Sequence, residues 1–535
     1  MRPSALNLQQ VHLRINDAAT GQHTPVRMRI TDGEGTYYAP YGRLTEFATR
    51  VNQDVGGNVM IGSKRWAYID GTCEILLPPG TLHIEIAKGP EYKPIDEEIQ
   101  LLAGKMALRF EVERWSDVRK QGWFSGDTRV HFLSPDAALL EGQAEDVAVV
   151  NLLACETEIT DQFGQRQKAI PNILSFSGQS FARQAGGCGV AVNTHNRHPV
   201  LGSLGLLHCH RVVYPLTFDG PDWTLDDWCG QCHRKNGLVV WTDPQHQTAD
   251  FLYGEPLADL ILGNVDAFEL TFFEDSPFDA LADYYRLLNA GLHVPLVGAS
   301  GKDSSGTPVG AMRTYACLPA GREFTYAAWI EAVRAGRTFV SNGPLLRFTI
   351  DGQGPGANVD DELERKLSRS MAELERSVRE TKSLASGIPA SELHESNAGP
   401  TKLRLWAEAR SWGAFDRLEW LWNGQPIATA HPAGSSPCQA VLEHELVVKE
   451  SGWLAVRCQG QTLLPGRPAP QRVFAHSTPI PVKHGDRPFE PRADAVRALL
   501  GEFDNMTRWA HGKNHARLLR VLEDARTALA PTCPD

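Results

Sequence analysis

The chain has 535 residues, of which 42% are hydrophobic and 22% charged, an ordinary globular composition. Its net charge of −11 argues against a nucleic-acid or anionic-membrane partner, and no apolar run reaches the roughly 18 residues that span a bilayer. The N-terminus has no apolar signal segment and the ten cysteines follow no framework spacing, so we expect a cytoplasmic protein with reduced thiols.

Residues 1–112 are predicted to form a small antiparallel β-sandwich. Short runs of alternating polar and apolar residues, such as 26–30 and 82–86, are separated by turns rich in Gly and Pro. The segments 77–80 and 88–92 resemble the regulatory, transthyretin-like domain of carboxypeptidases. That resemblance implies a supporting role, and we expect no chemistry in this region.

Residues 113–345 alternate short apolar strands with helices. The predicted strands are 129–132, 147–154, 173–176, 189–193, 238–241, 265–270 and 294–299. Thr224 and Thr325 are each placed to cap a helix, and the spacing of apolar residues predicts a third helix over 278–289. Such alternation predicts a parallel sheet in an α/β fold, most simply a barrel.

The last third of the chain returns to β patterns. Residues 346–485 predict a second β-sandwich that contains a charged helical insertion at about 355–398, with its most charged part over 362–386. We interpret this insertion as a solvated surface. Residues 486–535 predict one or two C-terminal amphipathic helices.

Polar side chains gather where the predicted strands of the central region end. They are Asp127, Arg129, His131, Glu156, His195, Asp243, Glu269, Lys302 and Asp303. In a parallel barrel these ends meet at one rim, and His, Glu and Asp converging there make a plausible metal or acid/base site. Polar residues also cap strand ends for structural reasons, so that simpler interpretation stays open.

One segment makes a family resemblance specific. Gly122-Trp123-Phe124-Ser125-Gly126-Asp127, followed by Arg129 and His131, resembles the PHP (polymerase and histidinol phosphatase) superfamily, and within it the carbaryl-hydrolase-like, CehA/McbA-like branch. The segments 132–135, 285–291, 307–315 and 335–344 resemble the same branch. The resemblance implies a distorted seven-stranded (β/α) barrel, flanked by two β-sandwich domains, that binds divalent metals and hydrolyses esters or phosphoesters.

Most of the metal ligands that the resemblance implies are replaced in this chain. Arg129 stands at the first histidine of a pair whose second member, His131, is kept. Ser203 and Gly301 stand at positions where a histidine and an aspartate are implied. Because arginine keeps its proton and cannot ligate a metal, the usual two- or three-metal cluster is lost.

Two interpretations of this loss stay open, and the first is a rebuilt site. A single divalent metal, Zn or Mn, would activate a water that attacks an ester, amide or phosphoester. Its metal ligands would be His131, Glu156, His195 and Asp243, and its catalytic residues Arg129, Lys302 and Asp303. The fixed cations would bind an anionic group of a small-molecule substrate or stabilise an oxyanion.

In the second interpretation the barrel is inactive. Arg129 then pairs with Asp127, Glu156 or Asp243, so that an ion pair replaces the charge of the metal. The protein would serve as a scaffold or would recognise an anionic ligand through Arg129, Arg197 and Lys302.

A haem-attachment pattern also occurs, at Cys229-Gly230-Gln231-Cys232-His233. Covalent haem attachment at this pattern requires export from the cytoplasm, and the N-terminus shows no apolar signal segment. The pattern also falls inside the helix that Thr224 is predicted to cap. We therefore expect no haem and no redox chemistry there, and we interpret His208-Cys209-His210 as structural because too few zinc ligands lie near it.

Overall fold

The computed structural model describes residues 8–41, 59–131, 133–160, 164–244, 252–271, 277–355, 401–434, 436–462, 471–485 and 487–530. The protein is mostly β, with 42% strand and 20% helix. The charged segment 362–386 lies outside the described residues, so its predicted helix stays a prediction.

The N-terminal region consists of two sheets that share one core. Its strands are β1 (Gln9–Asp17), β2 (Val26–Asp32), β3 (Val59–Ile61), β4 (Lys64–Ile69), β5 (Thr72–Leu77), β6 (Gly80–Ala87), β7 (Ile95–Leu101) and β8 (Ala107–Val112). One sheet has the order β5-β1-β8 and the other β3-β4-β2-β6-β7. Alternate residues of β1, such as Val11 and Leu13, are fully buried against Ile84 of β6, as the period-2 pattern predicts.

The central region contributes strands and short helices. The strands are β9 (Trp123–Val130), β10 (Val149–Ala154), β11 (Thr157–Thr160), β12 (Arg166–Ala169), β13 (Arg183–Ala185), β14 (Cys188–His198), β15 (Gly202–Leu207), β16 (Leu238–Thr242), β17 (Ala267–Thr271), β18 (Leu296–Ala299), β19 (Arg313–Cys317) and β20 (Thr338–Ser341). The helices are α1 (Pro135–Ala144), α2 (Leu225–Arg234), α3 (Pro256–Ile261), α4 (Pro277–Asn289) and α5 (Tyr326–Arg334). Thr224 caps α2 in a capping box with Asp227, and Thr325 caps α5, so both predicted caps are confirmed.

The C-terminal region adds β21 (Leu345–Ile350), β22 (Thr401–Arg410), β23 (Arg417–Trp422), β24 (Gln425–Ala430), β25 (Gln439–Val448), β26 (Gly452–Thr462), β27 (Gln471–Ser477), β28 (Ile480–Val482), α6 (Ala493–Gly512) and α7 (Ala516–Leu529). Val496, Leu499 and Phe503 on α6 are fully buried in the largest core, within the segment 486–535 that is predicted to form amphipathic helices. In the described part of the chain, no helix has the length and apolar character needed to cross a membrane.

The expected (β/α) barrel is wrong. A large mixed sheet runs in the order β18-β17-β16-β15-β14-β10-β9-β19-β20-β27-β26-β23-β24, so the central strands continue into those of the C-terminal region. The described helices are few and short. The strands β14, β15 and β16 pair antiparallel, whereas a (β/α) barrel needs parallel neighbours joined by helices.

A tight turn explains much of this error. β14 returns directly as β15, and Gly202 at the turn has φ +119°, a conformation that glycine adopts without strain. β15 was not among the predicted strands, since no element was assigned between the predicted strand 189–193 and the helix that Thr224 caps. The predicted strand at 173–176 is instead a short 3₁₀ helix over Ile173–Ser175.

Candidate functional site

Arg129 forms the centre of a buried polar cluster at the ends of three strands. It lies one residue before the end of β9, and its Nε donates to Glu269 Oε1 of β17 at 2.8 Å. Its Nη2 donates to Asp243 Oδ1 at 2.6 Å and to Thr271 Oγ1 at 2.9 Å. We call Arg129, Asp243, Glu269 and Thr271 the arginine cluster.

In the arginine cluster, one guanidinium forms ion pairs with two carboxylates. Arg129 is 6% exposed and Glu269 is 0% exposed. Burial by itself lowers the pKa of Arg129, but the charges of Glu269 and Asp243 outweigh that effect and raise it. Hydroxyl groups complete the surroundings, because Thr128 Oγ1 donates to Glu269 Oε2 at 3.1 Å. The guanidinium is therefore held charged and oriented by the protein itself.

Asp127 does not bind the guanidinium of Arg129. Its carboxylate accepts hydrogen bonds from backbone N–H groups next to the arginine cluster. Its Oδ1 accepts from the backbone N–H groups of Arg129 at 3.2 Å and Ser300 at 3.0 Å. Its Oδ2 accepts from the N–H of Gly310 at 2.7 Å. Of the three partners predicted for the Arg129 side chain, Asp243 is therefore the one that binds it.

Two stacked histidines lie beside the arginine cluster. The rings of His131 and His195 are 5.2 Å apart between centroids. His131 Nδ1 donates to Leu153 O at 2.9 Å. Burial and then the charge of Arg129 lower the pKa of His131 to about 4, and burial lowers the pKa of His195 well below its usual value. Both rings are therefore neutral at neutral pH.

His195 is connected to a short chain of hydroxyl groups. Its Nε2 lies 2.9 Å from Thr242 Oγ1, which in turn lies 2.9 Å from Ser203 Oγ. The other ring nitrogen, Nδ1, is buried and has no hydrogen-bond partner within the described ranges. The hydroxyl groups fix the ring, but among the described residues no carboxylate meets Nδ1, so His195 lacks the third group that would orient it as a base for the Thr242 hydroxyl.

The remaining predicted site residues lie elsewhere. Glu156 accepts from Lys168 Nζ at 2.8 Å and from Thr217 Oγ1 at 2.8 Å. Lys302 is 0% exposed. Its Nζ donates to Ser304 O at 3.0 Å and Thr307 O at 2.8 Å, and lies 3.3 Å from Glu141 Oε2. Asp303 is exposed. Glu156, Lys302 and Asp303 therefore do not join Arg129.

The predicted metal-binding character is wrong for the described part of the chain. There, no group of three or more His, Cys, Asp or Glu side chains is placed to hold a metal ion. Three of the four candidate ligands have other partners: Asp243 binds Arg129, Glu156 binds Lys168, and His131 Nδ1 binds a carbonyl. A metal-dependent hydrolase on these ligands is therefore not supported.

The C-x-x-C-H segment lies within α2. Cys229 and Cys232 are 0% exposed, and burial raises the pKa of both thiols well above its usual value. Cys232 Sγ lies 3.3 Å from Cys209 Sγ, and His233 Nε2 lies 2.9 Å from Asp266 Oδ2. These contacts are those of core and helix-surface residues.

Sequence reasoning placed Glu269 among the polar strand ends but gave it no role, and it did not single out Thr271. The signal was available, because Glu269 interrupts the apolar strand β17 between Phe268 and Leu270. A carboxylate at such a position needs a buried partner, and Arg129 is one.

No protein-family model matches the chain, and no curated protein matches it. Among solved structures, PsfC from Pseudomonas syringae PB-5123 is 18% identical, with a TM-score of 0.26, over 39% of this chain and 88% of that one. A streptococcal ancillary pilin is 13% identical, with a TM-score of 0.14, over 24% of this chain and 37% of that one. Structural similarity this weak indicates neither a shared fold nor a shared function. The resemblance to the PHP superfamily therefore stays a prediction.

Proposed function

We propose that the chain is a non-catalytic binding or scaffolding protein, and that the arginine cluster is a structural ion-pair site within it. The observation that carries this proposal is the fixed position of the Arg129 guanidinium between Asp243 and Glu269. A fixed cation that already has two carboxylate partners has little residual charge to offer to a reacting group.

The titration properties of the neighbouring groups support the same proposal. A general acid or base works best when its pKa lies near the working pH. The pKa of His131 is lowered to about 4 and that of His195 lies well below its usual value, in both cases mainly because of burial. Burial also raises the pKa of the Cys155 thiol, which disfavours the thiolate nucleophile.

The ion pairs of Arg129 and Lys302 argue against these two residues as the binding site for an anionic ligand. An anion bound by Arg129 and Lys302 would have to compete with Asp243, Glu269 and Glu141, which already neutralise these two cations. We therefore place ligand recognition away from both residues.

A hydrolysis assay tests the non-catalytic proposal. We would assay 4-nitrophenyl acetate, an anilide and bis(4-nitrophenyl) phosphate, each with and without added Zn²⁺ or Mn²⁺. The expected result is the same rate for the wild type, for His195→Ala and for the exposed control His210→Ala. A turnover that is lost in His195→Ala and kept in His210→Ala would contradict the proposal.

We also propose a cytoplasmic location. The nine cysteines within the described ranges are free thiols, which fits a reducing compartment. Alkylation of the denatured protein without a reductant, followed by mass spectrometry, should find ten alkylated cysteines, the number of cysteines in the sequence. Fewer than ten, with a mass that indicates a disulfide, would contradict this assignment.

A further inference from the structure

A cavity lies where the N-terminal, central and C-terminal regions meet. Its volume is about 120 Å³, close to the roughly 150 Å³ that holds a benzene molecule, so it has room for about one aromatic ring. Arg27 of β2, Arg313 of β19 and Trp412 after β22 all line it. We call it the junction cavity, and it shares no lining residue with the arginine cluster.

Arg27 lines the junction cavity with part of its hydrogen-bonding capacity unused. The residue is 5% exposed, and its Nε donates to Glu145 Oε1 at 2.8 Å. Tyr68 donates to the same carboxylate oxygen at 2.8 Å. Nη1 of Arg27 is buried, yet no atom of the described residues accepts its hydrogen bonds. A buried donor without an acceptor is unfavourable, and because Nη1 is closed off in the empty cavity, a ligand oxygen would relieve that cost by drawing the guanidinium toward it.

Arg313 is a second buried arginine of this cavity, and it is 4% exposed. Its Nε donates to Gly310 O at 2.8 Å and its Nη1 to Glu145 O at 3.1 Å, and both of these acceptors are neutral carbonyls. Arg27, Arg313 and Glu145 are the charged residues in the described lining. The lining therefore carries two cations and one carboxylate, which is an excess of one positive charge.

The rest of the lining is largely apolar. Tyr92, Pro90 and Val309 form part of the wall, and Trp412 is 45% exposed. An aromatic side chain with that much exposed surface next to a cavity offers a face on which a flat or apolar group can pack. The cavity thus combines an excess positive charge with an apolar wall.

We propose that the junction cavity binds a small organic acid whose carboxylate contacts Arg27 and Arg313 and whose aromatic or apolar body packs against Tyr92 and Trp412. Charge-assisted hydrogen bonds from guanidinium to carboxylate are among the strongest in proteins, and one carboxylate matches the single excess charge. The assignment goes beyond the non-catalytic role proposed above and does not depend on it.

Isothermal titration with benzoate, phenylacetate and their uncharged amides tests the proposal. We expect saturable binding of at least one acid with one site per chain, and about tenfold weaker binding of its amide. Arg27→Gln should weaken binding of the acid about tenfold, whereas Arg29→Gln, an arginine on the same strand that pairs with Glu85, should leave it unchanged. No binding of either acid, or equal binding of acid and amide, would overturn the proposal.

A second variant keeps the test independent of folding. Trp412→Ala changes an exposed residue, so the protein should melt as the wild type does while binding of the acid weakens about threefold to tenfold. The control Leu174→Ala removes a side chain that is fully exposed outside the cavity lining. Binding that Trp412→Ala leaves unchanged, or that Leu174→Ala weakens equally, would also overturn the proposal.

Discussion

The arginine cluster and the junction cavity both contain buried arginine, yet their surroundings differ in two ways. At Arg129, one guanidinium faces the carboxylates of Asp243 and Glu269. In the junction cavity, Arg27 pairs with the carboxylate of Glu145, Arg313 donates to two backbone carbonyl oxygens, and empty space lies next to them. The ratio of carboxylates to cations, together with free volume, separates an arginine that stabilises the fold from one that can receive a ligand.

The largest expected effect comes from removing the guanidinium of the arginine cluster. Arg129→Met should lower the free energy of unfolding by about 3–5 kcal/mol, because the fully buried Glu269 then loses its cation. Urea unfolding measures it. The control Arg183→Met breaks an exposed ion pair with Asp136 and should cost less than about 1 kcal/mol.

A double variant sharpens that prediction. Arg129→Met combined with Glu269→Met should recover much of the lost stability, since apolar pairs often replace buried ion pairs without cost. If Arg129→Met is as stable as the wild type, the arginine cluster is not a structural site and the comparison fails.

Lys302→Met should have the next largest effect, a loss of about 2–4 kcal/mol in the free energy of unfolding, because Glu141 is left buried without its cation. The matched control is Lys168→Met, which removes the mostly exposed partner of Glu156. Urea unfolding measures the loss of stability in both variants. If Lys302→Met and Lys168→Met lose the same free energy of unfolding, the ion pair of Lys302 with Glu141 contributes no more than a solvated one.

The third prediction concerns pH. Because the folded-state pKa of His131 is lowered from 6.5 to about 4, the folded state binds fewer protons than the unfolded state between these values. Stability should therefore be lost as pH falls from about 6.5 to about 4, by roughly 2–3 kcal/mol from this residue. NMR titration of the His131 ring should find it neutral at pH 6, whereas a midpoint near 6.5 would contradict the account.

In Arg129→Met the same titration should move upward, because the charge of Arg129 is the second cause of the lowered pKa of His131 after burial. Lys168→Met, which changes a mostly exposed cation, is the matched control and should leave the midpoint in place.

The smallest expected effect is ligand stabilisation. At a concentration ten times its Kd, an aromatic carboxylate should stabilise the folded protein by about 1.4 kcal/mol. The increase in Tm should be equal in the wild type and in Asp243→Asn, since the junction cavity does not include Asp243. If the increase in Tm disappears in Asp243→Asn, the ligand binds at the arginine cluster and not in the junction cavity.

Helix caps and strand alternation were predictable from the sequence, because they depend on interactions between residues that are close together in the chain. The caps at Thr224 and Thr325 follow from side chains three residues from the groups they satisfy. Asp243 as one partner of Arg129 followed from the need of a buried arginine for a carboxylate. The β1 and β2 alternations likewise indicated their strands.

Longer-range features were not predictable in the same way. The direct return from β14 to β15 depends on one turn at Gly202, and it replaces the parallel crossover that strand–helix alternation predicts. Lys302 follows β18 and looked like a free cation, but its side chain turns to Glu141. Arg27, Arg313 and Trp412 come from distant segments, so no local pattern could indicate the junction cavity.

A crystal structure of the protein soaked with 4-bromobenzoate tests the central comparison most directly, because anomalous scattering locates the bromine. We expect bromine in the junction cavity, the carboxylate against Arg27 and Arg313, and Arg129 still bound to Asp243 and Glu269. A carboxylate bound to Arg129 with Asp243 displaced, and an empty junction cavity, would contradict this expectation.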